Sequence, residues 1–258
     1  MRKLAYIELK KIITYPTFWI LLGMYAVLLF FITFGLHQIK FNNSPLALFS
    51  LQTYYTFPYM WHTVTYLASF FNLLLGTLII ILITNEFTFR TNRQNIIDGL
   101  SKAEFLVAKL ILIVCITVVA TLFVSIIGLI SGISQTPNLN ASLIFDKIAF
   151  LLAYFVQAIA YMCFALFIGT LVKKSGLAIG LFLVYSKIVE PLICLKLPSG
   201  ISDYMPFNIM SNLIQNPALK VFGMSVNESP LGIHFVFTIV YSCIFIAGTH
   251  LLLTKRDL

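Results

Sequence analysis

Charge is scarce in this sequence. Only 10% of the 258 residues are Asp, Glu, Lys or Arg, while 60% are hydrophobic and the mean hydropathy is +0.96. Soluble domains carry about 25% charged residues, so lipid must be the solvent for much of this fold. A phosphate loop is missing too: no G-x-x-x-x-G-K-[ST] run occurs, which excludes ATP binding by that route. Metal and nucleophile motifs are equally lacking. His37, His62, His234 and His250 have no Cys, Asp or Glu at a ligand spacing, and no serine elbow, carboxylate pair or Cys–His arrangement stands out. No metal, no cofactor and no catalytic residue is therefore expected on this chain. Cys115, Cys163, Cys194 and Cys243 lie in or beside apolar runs without zinc-site spacing, and read as buried thiols acting as small hydrophobes.

What is present is a series of long apolar runs. A helix needs about 20 apolar residues to cross a bilayer. Six segments qualify: Thr17–Leu36, His62–Thr84, Phe105–Gly132, Lys147–Val172, Gly176–Leu195 and Leu231–Leu253. The expected fold class is thus an all-α integral membrane protein of six transmembrane helices, a single domain over 1–258. The first run is too long for a signal-peptide core and no A-x-A-like site follows it, so it is expected to stay.

The formal net charge of +8 does not point to nucleic acid, because the cations cluster between spans rather than along one face. Arg2, Lys3, Lys10, Lys11, Arg90, Arg93, Lys102, Lys109, Lys173, Lys174, Lys255 and Arg256 fall on one side of the expected bilayer. Of the 17 Lys and Arg, only Lys40, Lys147, Lys187, Lys196 and Lys220 do not. The positive-inside rule puts that side, and both termini, in the cytoplasm of a cell-membrane protein.

Residues 1–16 pattern as an amphipathic interfacial helix, with Tyr6, Leu9 and Ile13 on one stripe and Lys3, Lys10 and Thr14 on another. Tyr15-Pro16 marks its break from the first span. Residues 37–61 carry Tyr54, Tyr55, Phe57, Tyr59 and Trp61, which suits an aromatic belt at the membrane surface. Residues 196–230 are too apolar for a free loop and, with Pro198, Pro206 and Pro217, too broken for a span. They suit a re-entrant segment.

The most informative stretch is the connection between the second and third spans, residues 85–103. A bare hairpin needs a few residues; this one places Glu86, Arg90, Arg93, Gln94 and Asp98 in a short helical piece that Gly99 can stop. Ser101 and Glu104 then form a capping-box pattern at the start of the third span. The residues alone fit two readings, a dock for a soluble partner or a solvated interfacial loop.

The run Glu86-Phe-Thr-Phe-Arg90-Thr-Asn-Arg93-Gln, then Asp98-Gly-Leu-Ser-Lys-Ala-Glu-Phe and Lys109, resembles the permease subunits of the type-2 ABC transporter family, of small bacterial exporter type. Glu190-Pro191 and the following Tyr204-Met-Pro206-Phe-Asn resemble it too, as does the layout of nearly the whole chain. The resemblance implies a permease driven by a separate ABC ATPase subunit, which would hold ATP and Mg, and paired with a second permease, identical or related. It further implies that residues 86–98 are a coupling helix seated on the ATPase and that 1–16 is a connecting helix on the membrane surface. Glu86, Arg90 and Arg93 would transmit the motion.

Other intramembrane polar residues have quieter readings beside functional ones. Lys187 and Glu190, three apart, would share a helix face next to Pro191, as a structural pair near an outer gate or as part of the path. Asn72 and Gln157 suit hydrogen bonds between helices better than substrate contact. Gly128-x-x-x-Gly132 and Gly176-x-x-x-Gly180 match a small-residue packing pattern. Two functions of other classes compete with the permease: a membrane-embedded enzyme on lipid or polyisoprenoid substrates, which would need clustered carboxylates or histidines, and a passive membrane scaffold.

Overall fold

The computed structural model describes residues 10, 12–37, 54–89, 101–217, 219, 226, 229, 230 and 232–255. Among them all regular structure is helical. Pro16–His37 forms α1, opening on a proline whose missing N–H costs nothing in a first turn. Met60–Phe70 (α2) and Asn72–Thr88 (α3) are one apolar run bent by 41° at Phe71. Lys102–Gln135 (α4) is the longest, at 34 residues. Ala141–Phe145 (α5) precedes Ala149–Val172 (α6), and Ser175–Val184 (α7) continues through a π-turn, Tyr185–Val189, into Glu190–Lys196 (α8). Ser199–Ser202 (α9), Pro206–Leu213 (α10) and Ile233–Lys255 (α11) complete the described part.

Five helical stretches are long and apolar enough to cross a membrane, and the bent α2–α3 pair makes a sixth. The chain is an all-α, multi-pass membrane protein. Lys173 turns the α6–α7 hairpin with a positive φ of 59°, its N–H donating to the Gly169 carbonyl.

The centre is α6, which packs most heavily on α3 and α11 and also meets α2, α4 and α7. Its sequence explains why. Ala153, Ala158, Ala160 and Ala165 are fully buried, and small side chains let neighbouring backbones close in. Gly169 meets the Ile83 side chain of α3 so closely that a Cβ there would displace it. The outer helices are the opposite case: only 17% of α1's apolar window and 22% of α11's is buried inside the chain, against 67% for the stretch ending in α6. Phe31, Leu192 and Val236 face outward, as lipid-solvated side chains do.

Three expectations need correction. The aromatic segment before α2 is no surface belt: Tyr55, Phe57 and Trp61 are buried. Trp61 Nε1 donates to the Ile144 carbonyl at 2.6 Å, the Phe57 N–H donates to Thr136 Oγ1 at 2.9 Å, and the Phe57 ring lies on Gly132. A tyrosine or tryptophan serves either place, since its apolar body and polar tip suit a wet interface or a hydrogen-bonded core. The second correction divides the glycine patterns. Gly128 and Gly132 admit the Trp61 and Phe57 rings, whereas Gly176 and Gly180 have open space where a Cβ would be. The third concerns the thiols: Cys163 is buried, Cys115 and Cys194 are half-buried, and Cys243 is exposed.

Candidate functional site

One end of the bundle brings several polar and charged side chains together at the root of the connection 90–100. Helix α3 runs on to Thr88, about one turn further than its apolar run suggests, and so carries Glu86 inside the bundle. There Lys109 Nζ of α4 donates to Glu86 Oε1 at 2.7 Å, with the side chains 4% and 5% exposed. A short charge-assisted contact between buried partners fixes α3 to α4 at that point. Just before α4, Ser101 and Glu104 close both halves of a capping box: Glu104 N–H donates to Ser101 Oγ at 3.2 Å, and Ser101 N–H donates to Glu104 Oε2 at 2.9 Å. The start of α4 is therefore set by its own sequence, independent of any partner.

Neighbouring elements converge on the same end. Asn85 Nδ2 donates to the Tyr15 hydroxyl at 3.4 Å, which ties the entry of α1 to the end of α3. Lys173 lies over the Phe87 ring at 5.1 Å, and Lys102 Nζ donates to the Thr254 carbonyl of α11 at 3.3 Å. Four stretches of chain that the sequence placed on one side of the bilayer thus meet in space.

The sequence reading set Glu86 on an exposed docking helix, and that is corrected here. A carboxylate that is 5% exposed and held by a lysine acts by positioning α3, not by surface contact. Arg90, Arg93, Gln94 and Asp98 lie outside the described residues. Lys109 was read as a cation on the cytoplasmic side and as part of the family-like run, not as a partner of Glu86; a single span boundary carries no sign that its lysine turns inward.

At the other end of α3, Asn72 Nδ2 donates to Gln157 Oε1 at 3.4 Å, and Gln157 Nε2 donates to the Met210 carbonyl of α10 at 2.6 Å. These are interhelical bonds, as their residue types suggested. His62 is packed as well, stacked on Phe150 with its ring nitrogen 2.7 Å from the Gln215 carbonyl oxygen. No group of three His, Cys, Asp or Glu able to hold a metal occurs among the described residues.

Beyond Met210 lies Glu190. Its Oε1 accepts from the Asn208 backbone N–H at 2.8 Å, so the carboxylate caps the amino end of α10, where the helix dipole favours negative charge. Asn208 Nδ2 donates to the Ser202 carbonyl at 2.9 Å and locks α9 to the same turn. The expected Lys187–Glu190 pair does not form: Glu190 is 1% exposed, Lys187 faces out, and no ion pair joins them. The reason is the backbone. Pro191 cannot donate to the Lys187 carbonyl and its ring crowds it. The chain relieves this with the wider π-turn, closed by the Glu190 N–H on the Tyr185 carbonyl. A wider turn changes the angle between residues three apart, so α-helical spacing no longer gives the shared face.

A family model described as ABC-2 family transporter protein matches residues 4–188. No curated protein matches the chain.

Proposed function

The chain belongs to the ABC-2 transporter family, and on that premise we propose that this permease serves an ATP-driven exporter whose ATPase is a separate subunit. One observation carries the reading beyond the family. The buried Glu86–Lys109 pair joins α3 and α4 at the root of the 90–100 connection, so a force applied to that connection acts on both helices at once. The Asn85–Tyr15 bond brings the N-terminal segment to the same place, where a surface helix over 1–16 would feel the same push.

In this mechanism two ATPases bind ATP and Mg and close beneath two permeases, this chain and a second that is identical or related. Arg90, Arg93, Gln94 and Asp98 contact the ATPase, and the motion reorients α3 and α4 around a path at the permease interface. The Asn72–Gln157–Met210 bonds link the far end of α3 to α10, which Glu190 caps near the outer opening. Residues 196–230 would form the re-entrant cover of that opening.

The mechanism requires the basic end, and hence both termini, in the cytoplasm of the cell membrane, where ATP is. A C-terminal fusion to green fluorescent protein is expected to fluoresce in intact bacteria, and a fusion to alkaline phosphatase at the same position to be inactive. The reverse pair of results would place the connection on the wrong side for any ATPase and end the proposal.

A further inference from the structure

The capping of α10 uses only half of Glu190. Oε1 accepts from the Asn208 N–H, while Oε2 is buried without a hydrogen bond of its own, the Tyr185 hydroxyl and the Phe207 N–H lying close to the carboxylate. A buried carboxylate oxygen with unmet lone pairs is costly, and native structures fill such positions with a donor. This oxygen belongs to a residue lining a cleft of about 310 Å3. Asn208 and Ser211 line it too, as does Lys187, an exposed cation that forms no ion pair among the described residues. The cleft thus offers a buried acceptor and an exposed positive charge.

A second cavity, of about 390 Å3, takes lining residues from the same π-turn and differs in chemistry: Phe167, Ile168, Leu181, Val184 and Val189 give it apolar walls. Ring contacts link the two linings: Phe164 and Tyr185 of the apolar cavity and Phe207 of the polar cleft have centroids 5.0 to 5.8 Å apart. One π-turn serves both cavities, presenting Ser186 and Lys187 to the polar cleft and Tyr185 and Val189 to the apolar one.

We propose that the two cavities together bind a zwitterionic amphiphile, with a primary ammonium donating to Glu190 Oε2, an anionic group against Lys187 and an acyl chain in the apolar cavity. An aminophospholipid of the ethanolamine type has this chemistry, and so would a lipid-like cargo. The Lys187 charge argues against a simple cationic amphiphile, which would meet repulsion there, and the buried carboxylate argues against an anionic one. The site goes beyond the exporter reading, because it needs neither an ATPase nor a direction of transport.

The test is native mass spectrometry of the detergent-solubilised full chain with dioleoyl phosphatidylethanolamine, phosphatidylcholine and phosphatidylglycerol added in turn. The ethanolamine lipid is expected to bind on the order of tenfold tighter than the other two, which is about 1.4 kcal/mol. The choline lipid has no N–H to donate, and the glycerol lipid has no ammonium. Glu190→Gln keeps an oxygen for the Asn208 N–H but turns an amide toward the cleft, and should reduce the ethanolamine lipid to the choline level. Lys187→Ala, at an exposed position where folding is not at stake, should lower binding of the ethanolamine lipid several-fold. Val184→Trp should weaken all three lipids alike by filling the apolar cavity. Equal binding of the three headgroups by the unmodified chain, or unchanged discrimination in both Glu190→Gln and Lys187→Ala, would overturn the assignment. With the site established, ATP-dependent movement of the ethanolamine lipid between leaflets in proteoliposomes identifies it as cargo, and a bound lipid that stays in its leaflet identifies it as resident.

Discussion

Lys109→Met is expected to destabilise the chain by about 3–5 kcal/mol, the usual cost of breaking a buried ion pair by removing one member. The remaining Glu86 carboxylate would be 5% exposed, beside a methionine that cannot donate to it. Glu86→Leu should cost a similar amount, since it removes the carboxylate to which Lys109 donates. The double variant is the informative one: two apolar side chains can pack where the ion pair was, and part of the loss should return. Denaturation of the solubilised protein by increasing sodium dodecyl sulfate, run on all four proteins as a double-mutant cycle, measures the coupling directly. A double variant whose loss is simply the sum of the two single losses would show that the contact at 2.7 Å contributes no coupling. Function should separate from stability here. The double variant regains its fold but not the rigid link between α3 and α4, so hydrolysis by a bound ATPase would proceed with little transport.

The second large effect concerns residues whose role rests on sequence alone. Reversing Arg90 and Arg93 together to Glu is expected to uncouple ATP hydrolysis from transport and to release the ATPase on purification. Loss of a desolvated charge contact at an interface costs about 2–5 kcal/mol, and 2 kcal/mol is already roughly 30-fold in affinity. The thermal midpoint of the chain itself should hold, which separates lost docking from lost folding. Normal transport and normal co-purification in the double reversal would remove these arginines from the mechanism.

Much of the architecture was legible because lipid imposes a simple rule: a backbone inside hydrocarbon must be helical and long enough to cross. The apolar runs ending near Leu36, Thr84, Gly132 and Val172 accordingly match α1, α3, α4 and α6 within a few residues. The capping box at Ser101 and Glu104 was legible because it is a local contact between residues three apart. Contacts that depend on distant parts of the chain were not. Glu86 and Lys109 are 23 residues apart, and composition alone cannot say that α3 continues about one turn past its apolar run to bring them together. The buried bond between the Tyr25 and Tyr154 hydroxyls, 2.6 Å long and 129 residues apart in sequence, is of the same kind. Glu190 shows a different limit. A carboxylate beside a proline near membrane depth could be singled out from the sequence, but its partner, the Asn208 N–H, could not. The π-turn broke the periodicity from which Lys187 was inferred.

The central claim is tested most directly by purifying the tagged chain from its native membranes in mild detergent and identifying what comes with it by mass spectrometry. The account predicts a soluble ABC-type ATPase in stoichiometric amount, lost when Arg90 and Arg93 are reversed and retained when Lys187 is replaced by Ala. Recovery of the chain without an ATPase under conditions that keep it folded would contradict the account.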